Sequence, residues 1–186
     1  RAAAQAALDA LESQLNPQAA TRRGAERPLE RKAYRGRTWV TRRDVFVDRM
    51  ASAWLIRRFV DVAAKLKFVV EDYRPRKGEL RFDMFDGEFT HEGDRCSFET
   101  LLRRFGLDDA ALVQLGEIVH NIDMKDEKFV RPDVPGIEQL LLGLVRAHRE
   151  DSVRVERASA LFDDLYAAFS SGSRPARQSR GTARRR

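Results

Sequence analysis

Thr38-Trp39-Val40-Thr41 and, beyond Asp44, Val47-Asp48-Arg49-Met50-Ala51-Ser52-Ala53-Trp54-Leu55-Ile56-Arg57-Arg58-Phe59 form the stretch on which the fold turns. The first four residues are β-branched or aromatic and read as a short strand. From Met50 to Ala64 the period lengthens, with Leu55, Ile56, Phe59 and Ala63 on one side of a helix and Arg49 and Arg57 on another. A strand that hands over so soon to a helix predicts a sheet packed by helices.

Downstream, Leu66 to Val70 and Leu80 to Phe85 read as two more strands, with a turn at Arg74 to Gly78. In the second, Phe82 and Met84 alternate with Arg81 and Asp83, as a half-buried strand requires. Ser97 then caps a helix carrying Phe98, Leu101, Leu102 and Phe105, and Gly106 stops it. Asp108 caps the next, whose apolar side is Ala111, Leu115, Ile118 and Ile122. After Pro132 and Pro135, Ile137, Leu140, Leu141, Leu144 and Val145 predict one helix, and Ala158, Leu161, Phe162, Leu165 and Phe169 another. The expected fold is α+β, a small mixed sheet in the N-terminal half packed by helices and a helical C-terminal half.

Upstream, Ala4, Ala7, Leu8, Leu11 and Leu15 share a face of a short helix that Asn16-Pro17 ends, and the charged run to Arg37 reads as a linker. The expected divisions are therefore residues 1–37 (helix and flexible linker), 38–169 (the domain) and 170–186 (a disordered arginine-rich tail). A chain that opens on Arg1 rather than Met reads as a fragment or a processed end. The net charge of +6 lies wholly in the tail, where Arg174, Arg177, Arg180, Arg184, Arg185 and Arg186 meet no acid; the rest balances 29 basic against 29 acidic residues. That argues for weak, salt-sensitive DNA contact at most. No run approaches the roughly 18 apolar residues of a membrane span, so a cytoplasmic protein without a membrane partner is expected. The single cysteine, Cys96, excludes an internal disulfide and a zinc finger.

Three segments carry chemistry. The first is the Asp48 to Phe59 run, where Arg49 and Arg57 can grip an oxyanion through forked hydrogen bonds, or simply be solvated. The second, Thr90-His91-Glu92-Gly93-Asp94-Arg95-Cys96, crowds an imidazole, carboxylates and a thiol, which is metal-ligand chemistry in type. Cys96 beside a helix N-terminus can also serve as a nucleophile or redox group, although a lone cysteine there is more often just packed. The third, Glu117-Ile118-Val119-His120-Asn121-Ile122-Asp123-Met124-Lys125, sets Glu117, His120 and Asp123 three apart on a helix, with Lys125 able to answer an anion. A capped helix end explains the same letters. His148 suits a helix C-terminus and takes no catalytic role. There is no glycine-rich phosphate loop, no G-x-S-x-G elbow and no calcium-loop spacing.

The same three segments resemble the chromate-resistance family, including the C-terminal domain of the regulator ChrB: V-D-R-x-A-x-x-W-L-I-R-R-F, T-H-E-G-x-x-C-x-F-E and I-V-H-x-I-D-x-K-D stand here in that order. The resemblance runs from about Thr38 to Phe169 and implies a bacterial protein of chromate stress, with chromate or another small oxyanion as its partner. Relatives carry an aspartate where Asn121 stands here, a departure that weakens any metal site using that carboxylate.

Together these readings predict a chromate-stress sensor or accessory domain. Its pocket would use His91, Glu92, Glu117, His120 and Asp123 toward a divalent metal (Fe, Mn or Zn), and Arg49, Arg57 and Lys125 toward an oxyanion. One alternative is a metal-dependent enzyme in which His91, His120 and a carboxylate leave an open position. The other is non-specific nucleic-acid binding through the tail.

Overall fold

A computed structural model describes residues 27–172. The helix expected at Ala2 to Leu15 and the arginines from Arg174 onward lie outside the described residues.

The sheet has three strands, β1 (Thr38–Arg42), β2 (Lys65–Val69) and β3 (Glu79–Arg81), in the order β2-β1-β3 with both pairings parallel. The α+β class is as expected; within it, the named strands all run parallel, where mixed directions were expected. Burial explains why β1 is central: Trp39, Val40 and Thr41 are all fully buried, so both faces are covered. β3 is shorter than the alternation of Leu80 to Phe85 suggested. The chain turns left-handed at Asp83 (φ 46°) and again at Asp86 (φ 53°), a conformation that a short polar side chain tolerates.

Among the described residues there are five α-helices, the first between β1 and β2 and the other four after β3. They are α1 (Val47–Leu55), α2 (Ser97–Phe105), α3 (Ala110–Met124), α4 (Val134–Ala147) and α5 (Asp151–Gly172). α1 starts three residues before the expected Met50 and widens into a π-turn at Ile56–Val60 rather than continuing to Ala64. It is the hub of the core, packing against α2, α3 and α5. Trp54 stands at that junction, its ring stacked on Phe98 and tilted against Phe162, with its indole N–H donating to Asp163. Of the apolar set expected in α4, Ile137 and Leu141 are buried but Leu140 is largely exposed.

Buried Asp61 closes the end of the π-turn by accepting hydrogen bonds from the backbone of Gly36, Arg37 and Ala63 and from the Trp39 indole. Burial works against its charge, but these donors hold its carboxyl below the ordinary value.

Gly106 ends α2 in the left-handed region (φ 59°), as expected of that glycine, and a Cβ there would lie 3.0 Å from the Pro28 ring. Gly106→Ala is therefore expected to lower stability by about 1–2 kcal/mol. An unchanged denaturation midpoint would contradict this.

Candidate functional site

In a parallel sheet, ligands collect beyond the carboxyl ends of the strands where the chain order reverses. Here that place lies between β1 and β3, since β1 leads through α1 to β2 on one side while β3 sits on the other. Four side chains from four segments converge there. Asp48 comes from the first turn of α1, Asp83 from the turn after β3, His91 from the loop before α2, and Asp123 from the last turn of α3.

Nε2 of His91 lies 3.3 Å from an Asp48 oxygen, 3.4 Å from Asp83 and 3.4 Å from Asp123. Ligating atoms of Asp48, Asp83 and His91 all fall within 4.8 Å of one another, a spacing that suits a single cation. The cluster is deep at one end and open at the other, the side chain of Asp48 being 1% exposed, Asp123 27% and His91 39%.

Each carboxylate is held by its own partners. Asp48 reaches across to α2 and accepts the backbone N–H groups of Ser97 and Phe98, both at 2.8 Å, together with the Ser52 hydroxyl. It thus caps a helix 49 residues away. The expected capping residue, Ser97, is instead the first residue of α2, and its hydroxyl donates to Asp83 at 3.0 Å. Arg49 Nε stands 2.9 Å from the other Asp83 oxygen.

Charge in the cluster is lopsided, three carboxylates against His91 and Arg49. Hydrogen bonds to Asp48 and then Asp83 raise the His91 pKa to about 10, so the ring is protonated at neutral pH. Burial raises the Asp123 carboxyl to about 6, and repulsion from Asp48 and Asp83 adds to it. Burial also opposes ionisation of Asp83, but the bond to His91 and the charge of Arg49 win, and its pKa falls. The sign of the His91 effect is fixed: a folded pKa above the ordinary 6.5 gives stability that is full below about 6.5 and lost as pH rises through about 10. Metal-free protein should therefore melt at progressively lower temperature from pH 6.5 to 10, and a flat profile would contradict the His91 geometry.

His120 belongs to a second group. It is fully buried at the foot of α3, with Nδ1 2.6 Å from Glu99 and Nε2 3.1 Å from Asp126. Cys96, Glu99 and His120 also offer ligating atoms within 4.8 Å of one another. However, both ring nitrogens of His120 already face carboxylates, whereas His91 meets all three of its acids through Nε2. Cys96 is fully buried; burial drives its thiol pKa upward and the nearby Asp48 adds to it, which favours the packed reading of this lone cysteine over the nucleophilic one.

The structure thus brings together His91, Asp123 and Arg49 of the expected residues. Glu92 turns away to Arg103 (2.7 Å) and Arg104 (2.8 Å), and Glu117 pairs with Arg131 at 3.2 Å. Arg57, on the π-turn, and Lys125, at the end of α3, are exposed on separate elements. Asp48 and Asp83 were not expected as ligands. Asn121 spans the turn after α3, donating to the Phe129 carbonyl at 2.6 Å and accepting its N–H at 3.2 Å. An asparagine serves this loop where an aspartate would not, since a carboxylate could not donate to the carbonyl.

The model described as "ChrB, C-terminal domain" matches residues 39–169. Protein ChrB of Cupriavidus metallidurans is 39% identical over 139 residues, which cover 74% of this chain and 42% of that protein. The chain therefore spans less than half the length of that relative. No solved structure matches it.

Proposed function

Because the chain belongs to the chromate-resistance family of ChrB C-terminal domains, we propose that it acts in chromate resistance or its regulation as a metal-responsive domain. It binds one divalent cation at Asp48, Asp83 and His91, with Asp123 completing the set. The observation that carries this reading is the convergence of three carboxylates and one imidazole, from four separate segments, at the strand ends of a parallel sheet.

The donor set fits such a cation. Carboxylate oxygens with one imidazole suit Mn, Fe or Zn in the divalent state, and a thiol is not needed. Asp48 is oriented by two backbone N–H groups and Asp83 by the Ser97 hydroxyl, the kind of support that fixes ligand geometry. A cation would relieve the mutual repulsion of the acids, and His91 must give its proton to solvent to ligate. Affinity should accordingly rise with pH. Because the four residues sit on α1, the turn after β3, the loop before α2, and α3, occupancy would tie these elements together, which is what a sensing domain requires.

A bare oxyanion does not suit this cluster, since three carboxylates would repel it. An enzyme built on His91 and His120 is not favoured either, because the two imidazoles stand in separate groups of ligating atoms.

The test is calorimetric titration of the full chain with Mn2+ and with Zn2+ at pH 6 and pH 8. One site per chain, tighter at pH 8 and accompanied by proton release, is expected. Absence of heat with both ions at both pH values would sink the reading.

A further inference from the structure

Arg49 faces two ways. On one side its Nε contacts Asp83; on the other the residue lines a separate cavity of about 520 Å³ together with Arg42, Arg43, Val69 and the acids Asp44 and Glu71. This cavity lies at the carboxyl ends of β1 and β2 and before the N-terminus of α1, whose capping residue, Phe46, offers no side-chain hydrogen bond. Strand ends and a helix N-terminus together favour an anion.

Two buried donors point the same way. Arg42 Nε and Arg49 Nε are shielded from solvent and lack a hydrogen-bond acceptor; the 2.9 Å approach of Arg49 to Asp83 is an ion contact without hydrogen-bond alignment. Buried donors without acceptors are rare and call for a ligand or water. The acids at the rim hold these arginines loosely. Glu71 is 89% exposed and 3.7 Å from Arg42, while Asp44 is 93% exposed and leans toward Arg154 at 3.6 Å. The N–H groups of Asp44 and Val45 are already taken by Asp151, so the guanidinium groups would do the binding.

We propose that Arg42, Arg43 and Arg49 form an oxyanion site whose occupancy is coupled, through Arg49, to that of the neighbouring cation site. The ligand class is a tetrahedral dianion, free or as the phosphoryl group of a small molecule. Without a cation, the charge of Arg49 is spent on Asp83. A divalent cation takes over Asp83 and frees Arg49 for the anion; an anion that draws Arg49 away leaves Asp83 to the cation. Linkage makes the effect reciprocal, so each ligand tightens the other by the same factor. The coupling rests on the cation reading above, whereas the anion site does not.

The full chain is titrated with sulfate at constant ionic strength, with and without saturating Mn2+, alongside an Arg42→Ala/Arg43→Ala variant. Arg42 is half-buried and Arg43 exposed, both outside the apolar core, so the variant keeps its packing. Sulfate binding at one site, lost in the variant, supports the anion site; binding that survives in the variant, or none in the parent, overturns it. An affinity for sulfate raised about fivefold or more by Mn2+ supports the coupling, and equal affinities in the presence of bound Mn2+ overturn it. If Mn2+ itself does not bind, the cation reading and the coupling fall together, while the sulfate titration alone still decides the anion site.

Discussion

Asp48→Ala is expected to destabilise the protein by about 3–5 kcal/mol, the effect of breaking a buried charged interaction by removing one partner. The loss is large because the carboxylate serves three ends at once. It satisfies the first two N–H groups of α2, which would otherwise be buried without acceptors, and it receives the Ser52 hydroxyl and the His91 imidazolium. Relief of repulsion with Asp83 and Asp123 offsets only part of this, since those groups keep contact with His91. The denaturant midpoint measures it, and a change below about 1 kcal/mol would mean that Asp48 does not cap α2.

Asp123→Asn should move stability the other way. The folded protein raises this carboxyl from the ordinary 3.8 to about 6, so ionising it works against folding; stability from this group is full below about 3.8 and lost as pH rises through about 6. Removing the charge should stabilise metal-free protein by about 1–2 kcal/mol at pH 8, less than the full shift converts to, because the contact with His91 is weakened too. The gain should vanish toward pH 4. The same variant should bind Mn2+ more weakly, giving the opposed signs expected when a site stores repulsion for its ligand. A variant less stable than its parent at pH 8 would show that Asp123 serves the fold instead.

How much of this was legible depends on how local each signal is. The strand at Thr38, the helix after it and the glycine stop at Gly106 rest on neighbours in sequence, and the chain follows them. Element ends moved where tertiary contacts intervened: Cys96 rather than Ser97 precedes α2 because Asp48 supplies the cap from another helix. Asp48 itself looked like an acid favouring the dipole of α1, and nothing within its own turn shows that its carboxylate reaches α2. Asp83 looked like the solvent side of an alternating strand. The break in that strand, carried by Asp83 and Asp86 in left-handed conformation, was the available clue that the residue turns inward. His91 and Asp123 were recognised by residue type, but type does not say which imidazole meets which acid. Glu92 and Glu117 were lost to Arg103, Arg104 and Arg131, partners set by the packing of α2 and α3 and the loop after it.

The most direct measurement is elemental analysis of the full chain after Mn2+ or Zn2+ loading and dialysis, comparing the parent with His91→Ala and His120→Gln, with folding checked by circular dichroism. One metal per chain is expected in the parent, with loss in His91→Ala and retention in folded His120→Gln. Metal that is retained in His91→Ala would contradict the site described at Asp48, Asp83 and His91, and metal lost only in His120→Gln would place the centre at Cys96, Glu99 and His120 instead.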